Sequence, residues 1–205
     1  MSDKYIQILD YGIGNIRSLQ NSLNFLGINN IIKKNIDYDD KNFNGLIIPG
    51  VGAFPSAMKI LEENFLIDQI KTVSKKKFKV LGICLGMQIL FSKSEEIETT
   101  NGLNLMEGSV EVLNKDYNCK IPNIGWRELK KKENNFFENS KKKKFYFVHS
   151  YAVRPKNKNL IKFIIDYEGM EIPAIVNYEN IYGFQFHPEK SGPMGLNLLK
   201  EFCEI

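Results

Sequence analysis

The segment Val80-Leu81-Gly82-Ile83-Cys84-Leu85-Gly86-Met87-Gln88 sets one cysteine between two glycines, where an apolar run gives way to a helical pattern. A sharp strand-to-helix turn lifts its central side chain clear of a sheet. Glycines beside it remove the Cβ atoms that would clash there. A helix start also brings the positive end of the backbone dipoles near the sulfur and aims N–H groups at any oxyanion formed nearby. The pattern therefore predicts a nucleophilic thiol at Cys84 rather than a buried structural cysteine. Cys119 and Cys203 have no comparable surroundings. A cysteine hydrolase needs an imidazole as base and acid. Two histidines are available, His149 after Phe145-Tyr146-Phe147-Val148 and His187 after Gly183-Phe184-Gln185-Phe186. His187 is preferred: Pro188 fixes the following φ, and residues i and i+2 of an extended segment point the same way. Glu189 is then placed to accept a hydrogen bond from the ring and set its tautomer. His149 stays open as the alternative.

These residues need a scaffold. Tyr5–Leu9, Ile31–Ile32, Gly45–Ile48 and Val80–Ile83 read as short strands. Ile16–Leu26, Ser56–Leu61, Phe65–Val73 and Leu85–Phe91 read as helices between and after them. Asn15 is the expected N-cap of the first helix and Gly27 its stop. Alternation of this kind predicts parallel βαβ construction, with the site beyond the carboxyl ends of the strands. The later half carries strand candidates at Val110–Leu113, Phe145–Val148, Leu160–Ile165, Ala174–Val176 and Tyr182–Phe186, and a closing helix at Met194–Phe202. The fold class is α/β: a mostly parallel central sheet flanked by helices, with an antiparallel or mixed later portion, in one domain spanning 1–205.

The 205 residues, 43% hydrophobic and 12% aromatic, suffice for a substantial core and exclude wholesale disorder. The net charge of +4 is largely lysine in short runs at Lys75–Lys77, Lys130–Lys132 and Lys141–Lys144. Such runs read as solvated loops or helix ends, so no nucleic-acid role is expected. No signal core opens the chain, and no apolar run approaches the roughly 20 residues a bilayer needs. A soluble cytoplasmic protein is expected. Three cysteines give neither a disulfide framework nor zinc-site spacing, and no metal or cofactor is expected.

Gly-Ile-Cys-Leu-Gly-Met-Gln at 82–88 and Phe-His-Pro-Glu-Lys-Ser at 186–191 resemble the two signatures of class I, triad-type glutamine amidotransferases. Asp10-Tyr11-Gly12 with Gly14-Asn15, Pro49-Gly50-Val51-Gly52-Ala53-Phe54, Ile124-Gly125-Trp126 and Tyr146–Tyr151 narrow the likeness. Together they resemble the glutaminase subunits of imidazole glycerol phosphate synthase, in order and spacing, from residue 5 to the last helix. The resemblance implies a Cys84–His187–Glu189 triad that hydrolyses glutamine through a glutamyl thioester. It implies oxyanion donors at Leu85 and in the Pro49–Gly52 loop, at Gly50, Val51 or Gly52, with the hole incomplete in the isolated subunit. It also implies glutamine contacts from Gly52, Gln88, Glu96, Ser150 and Tyr151. The ammonia would pass to a (β/α)8-barrel cyclase/synthase partner, docked against Asn15, Trp126, Tyr146 and Lys190. The chain has no length left for an acceptor domain of its own.

One segment departs from the family pattern Pro-His-x-Gly-Trp-Asn. Here it is Pro122-Asn123-Ile124-Gly125-Trp126-Arg127, so an imidazole is lost and a cation gained beside the docking tryptophan. Neither position belongs to the triad. The same chemistry serving a surface-sugar amidotransferase, a stand-alone cysteine hydrolase, and a catalytically silent scaffold are the competing readings. The intact triad counts against the last.

Overall fold

Apolar runs too short for helices build the middle of the molecule. The computed structural model describes residues 4–113, 119–132, 137 and 143–205. In chain order the elements are β1 (Tyr5–Leu9), α1 (Ile16–Phe25), β2 (Asn30–Lys33), β3 (Phe43–Ile48), α2 (Phe54–Glu63), α3 (Leu66–Lys75) and β4 (Lys79–Ile83). There follow α4 (Leu85–Gln88), β5 (Phe91–Ser94), β6 (Thr100–Asn101), β7 (Met106–Val112), β8 (Asn123–Glu128), β9 (Lys130–Lys131), β10 (Lys144–His149) and β11 (Tyr151–Pro155). The chain closes with β12 (Ile161–Tyr167), β13 (Met170–Tyr178), β14 (Ile181–Phe184) and α5 (Gly192–Glu204).

The main sheet runs β2-β1-β3-β4-β14-β13-β12-β9. Its first five strands are parallel, and from β14 onward the pairs are antiparallel. This is the parallel-then-antiparallel arrangement expected from the sequence. Both faces of the parallel part are covered, which is why β3 and β4 read as continuous apolar runs. On one face Leu81 and Ile83 meet Leu19 and Leu23 of α1 and Leu198, Leu199 and Phe202 of α5. On the other, Leu46, Ile48 and Val80 meet Ala57 and Leu61 of α2 and Ile70 and Val73 of α3.

Two smaller sheets complete the structure. A β10-β8 ribbon joins the α1/α5 side through Phe145 and Phe147, and a sheet ordered β11-β7-β5-β6 joins the other side through Phe91, Val110 and Val153. Phe186 stacks on Phe184 at 5.2 Å between centroids and touches Phe145 at 4.5 Å and Phe147 at 5.6 Å. Each such pair contributes about 0.5–1.5 kcal/mol beyond its buried area. This aromatic cluster ties the ribbon to the chain entering His187.

Several expected boundaries move. The helix expected over Leu85–Phe91 stops at Gln88, and Phe91 opens a strand instead. Leu90 has no room to continue a helix, because its carbonyl accepts the N–H groups of Leu105 and Met106 at 2.9 and 3.1 Å. Asn15 occupies the N-cap position of α1, but its side chain makes no capping hydrogen bond. Lys75–Lys77 are exposed at the end of α3, as expected for a solvated run, whereas Lys141 and Lys142 lie outside the described residues. Among the described residues no helix is long and apolar enough to cross a membrane.

Candidate active site

Cys84 stands at the carboxyl end of β4 with φ 55° and ψ −111°. That conformation costs a non-glycine residue about 1–3 kcal/mol and persists only where neighbours hold it. Here its N–H donates to the Phe184 carbonyl at 2.7 Å, and its own carbonyl accepts from Met87 and Gln88 at 3.0 and 3.1 Å. The flanking glycines are demanded by close approach. A Cβ on Gly86 would lie 1.9 Å from the Ile48 carbonyl oxygen, and one on Gly82 would lie 2.3 Å from the Gly86 oxygen. The strand-to-helix bend read from the sequence is present. Its helix is a single turn, so its dipole at the sulfur is weaker than expected.

Side chains supply what the short helix lacks. The Gln185 amide donates toward the Cys84 sulfur at 3.8 Å, and the Val148 carbonyl lies 3.9 Å from it. His187 Nε2 sits beside the same sulfur, buried and without completing a hydrogen bond. Its Nδ1 pairs with Glu189 Oε1 at 2.9 Å, the i to i+2 contact expected from the extended segment. Burial alone would lower the pKa of this ring. The Cys84 sulfur and the Glu189 carboxylate outweigh burial and push it up to about 10.

His149 lines the same cleft but is differently engaged. Its Nδ1 lies 2.8 Å from the Tyr151 carbonyl, and its Nε2 lies 3.0 Å from the Asn123 side-chain amide. Burial, opposed by the Tyr151 bond and assisted by the charges of His187 and Arg127, pulls its pKa down to about 4. No nitrogen is left over for a substrate, so of the two histidines only His187 has an unengaged ring atom.

The cleft holds about 320 Å³ and is lined by Val51, Gly52, Cys84, Leu85, Gln88, Glu96, Val148, His149, Ser150, Tyr151 and His187. All five positions expected to hold substrate are therefore brought together. Gln88 is buried, not an ordinary helix-surface residue, and donates to the Tyr151 carbonyl at 3.0 Å and to Gln185 Oε1 at 3.3 Å. Glu96 Oε2 accepts the Phe54 N–H at 2.8 Å, which caps α2 and anchors that wall. Val51, Gly52 and Leu85 share the lining, while Gly50 lies just behind, its Cβ position 2.7 Å from the Gly86 nitrogen. The Tyr11 hydroxyl donates to the Pro49 carbonyl at 2.8 Å and so braces the loop's entry. A second cleft of about 370 Å³ is lined by Lys132, Arg154, Lys158 and Glu171 among others. It is slightly larger but is lined by no cysteine or histidine, so chemistry rather than volume selects the site.

None of the four expected docking residues lines the cleft itself. Trp126 is 50% exposed on β8, not a core aromatic, and meets Tyr146 of β10 edge-to-face at 6.1 Å. The Tyr146 N–H donates to Ser191 Oγ, just beyond Lys190, which is exposed at the end of the Pro188–Lys190 turn. Asn15, half-buried at the start of α1, lies on the helix that neighbours that turn. Sequence reasoning missed Gln185, Tyr11 and the role of Asn123. The signal at Gln185 was a polar residue inside the strand expected over Tyr182–Phe186, two positions before His187 and so pointing its way, although β14 itself stops at Phe184.

Residues 1–205 match the family described as glutamine amidotransferase class-I. The chain belongs to the class-I glutamine amidotransferase family. It is 46% identical over 202 residues to proteins named imidazole glycerol phosphate synthase subunit HisH from Bacillus anthracis and Bacillus cereus. The match covers 96% of this chain and 93% of each relative. Among solved structures, a crystal structure of a glutamine amidotransferase superposes with a TM-score of 0.74 at 17% identity, covering 98% of this chain and 99% of that one. The PurLQS structure from Thermotoga maritima gives 0.73 at 18% identity, covering 100% and 99%. At those identities the likeness shows the amidotransferase fold alone.

Proposed function

We propose that this chain is the glutaminase subunit of an imidazole glycerol phosphate synthase, in which Cys84, His187 and Glu189 release ammonia from glutamine. One observation carries the chemistry: an uncommitted imidazole nitrogen faces the strained Cys84 sulfur while its other nitrogen is held by a buried carboxylate. The histidine-pathway assignment follows the HisH-named relatives, which cover nearly the whole chain.

The Cys84 thiolate attacks the side-chain amide carbon of glutamine. The oxyanion is met by Leu85 N–H, the first donor that a helix start leaves unbonded, and by an N–H of the Gly50–Gly52 loop. The His187 imidazolium gives its proton to the departing nitrogen, and ammonia leaves. Water then attacks the thioester, His187 takes its proton, and glutamate departs with the thiolate restored. Gln88, Glu96 and the Ser150–Tyr151 backbone orient the substrate. Ammonia passes to a (β/α)8-barrel cyclase/synthase docked on the rim of Asn15, Trp126, Tyr146 and Lys190, and the oxyanion loop completes its hole only in that assembly.

Replacing Cys84 by Ala is the decisive experiment. In the complex, glutamine-dependent product formation is expected to fall to background while synthesis from added ammonium continues. Persisting glutamine-dependent synthesis removes the triad. A partner co-purified from the source cell that is not a barrel synthase removes the histidine-pathway assignment.

A further inference from the structure

A chain of polar groups, half-buried at Arg127 and buried at Asn123 and His149, leads from β8 to the cleft. Arg127 Nε donates to Asn123 Oδ1 at 2.9 Å, Asn123 Nδ2 lies 3.0 Å from His149 Nε2, and His149 Nδ1 lies 2.8 Å from the Tyr151 carbonyl. Its two ends fix the direction of every proton between them. A guanidinium nitrogen only donates, so the Asn123 atom facing it is the oxygen, and the Asn123 amide donor faces the ring. A backbone carbonyl only accepts, so the proton at the far end sits on Nδ1. Asn123 is fully buried and His149 nearly so, and no solvent stands in for a lost partner. Arg127 is itself held by the Ile124 carbonyl at 3.3 Å and by the Tyr167 ring at 4.9 Å.

We infer that Arg127 and Asn123 are positioning residues that fix His149 as the neutral tautomer with its proton on Nδ1, and through it pin the Tyr151 carbonyl on the wall of the glutamine cleft. That carbonyl also receives Gln88 at 3.0 Å, so one oxygen carries both the wall and a substrate-facing side chain. The arrangement also keeps a second positive charge away from His187. Protonating His149 would place Nε2–H against an amide donor. Turning that amide over would set its NH₂ against Arg127, so the guanidinium opposes the change. β8 carries this device on one face and the exposed Ile124 and Trp126 on the other, which sets the network behind the face proposed for docking.

The effect on glutamine rests on the function proposed above, whereas the proton arrangement does not. The test is imidazole proton–nitrogen NMR on protein labelled with ¹⁵N-histidine, which contains only two rings, together with glutamine kinetics of the complex. In the wild type, near neutral pH, the His149 ring is expected as the neutral Nδ1–H tautomer. In Arg127→Ala the Asn123 amide is free to turn its oxygen toward Nε2 while Tyr151 still holds Nδ1–H, so the doubly protonated ring should appear at a higher pH than in the wild type, and half-saturating glutamine should rise about fivefold with turnover changed less than about twofold. A wild-type His149 that is doubly protonated or carries Nε2–H overturns the inference without any variant. So does an Arg127→Ala protein in which the pH of His149 protonation or the half-saturating glutamine is unchanged. A wild-type complex that releases no glutamate overturns the functional reading instead, and the ring spectrum still decides the proton arrangement.

Discussion

His149 ends β10 and His187 follows β14 by three residues; the two are similarly buried and line the same cleft, yet their chemistry diverges. His187 has a carboxylate on one nitrogen and a thiol beside the other, and its pKa rises to about 10. His149 has a carbonyl on one nitrogen and an amide on the other, and its pKa drops to about 4. Burial disfavours the charged form in both. The negative partners decide the outcome, and the uncommitted nitrogen decides which ring can move a proton. A histidine in a cleft is therefore not a base by location. It becomes one when a carboxylate holds its far side and nothing occupies its near side.

Exchanging each histidine for Gln is the strongest way to break that contrast. At His187 glutamine turnover by the complex should fall about a thousandfold, as expected for loss of a general acid and base. At His149 it should stay within about tenfold, the scale of one or two lost hydrogen bonds. If the two substitutions rank the other way, measured as glutamate released, the roles are reversed. Glu189→Gln is the next largest test. It keeps a hydrogen-bonding group beside Nδ1 but removes the charge, so turnover should drop about a hundredfold. The His187 pKa, followed by imidazole NMR, should fall from its raised value, and a value unmoved by this substitution would leave Glu189 without an orienting role.

The parallel half of the fold was legible because burial on both faces leaves an unambiguous apolar signature. Tyr5–Leu9 and Ile16–Phe25 lie within a residue of their expected ends. The grouping of Cys84, His187 and Glu189 was legible because each is specified by its immediate neighbours: two glycines for Cys84, a proline and an i+2 spacing for His187 and Glu189. What failed was set by distant contacts. The apolar stretch through Ile89, Leu90 and Phe91 fits helix and strand equally well; Ile89 and Leu90 form a turn, and pairing with β7 makes a strand from Phe91 onward. Tyr151–Pro155 was not among the strand candidates, and it ends in proline, a residue that an edge strand tolerates. It is such an edge, paired with β7 alone. Asn123 and Arg127 read only as departures from a motif. Their partner His149 sits on another strand, and no local pattern announces a hydrogen bond across a ribbon.

The smallest expected effect is also the most specific to the contrast. The two rings should give the protein opposite pH limbs. His187 has a folded-state pKa above the ordinary value of 6.5, so its contribution to stability is complete below about 6.5 and is lost as pH rises toward about 10. His149 has a folded-state pKa below 6.5. The unfolded chain therefore binds a proton that the folded chain refuses, and stability is lost as pH falls from about 6.5 toward about 4. Gln at 149 can accept from Asn123 and donate to the Tyr151 carbonyl while remaining neutral at every pH. His149→Gln should then flatten the acid limb and leave the alkaline limb in place, with urea-unfolding midpoints across both windows as the measurement. Every other titrating group is common to both proteins and cancels in the difference. Midpoints that decline in parallel on acidification would mean that His149 takes up its proton as readily in the folded chain as in the unfolded one, and the polarity of the Arg127–Asn123 chain would not be holding it neutral.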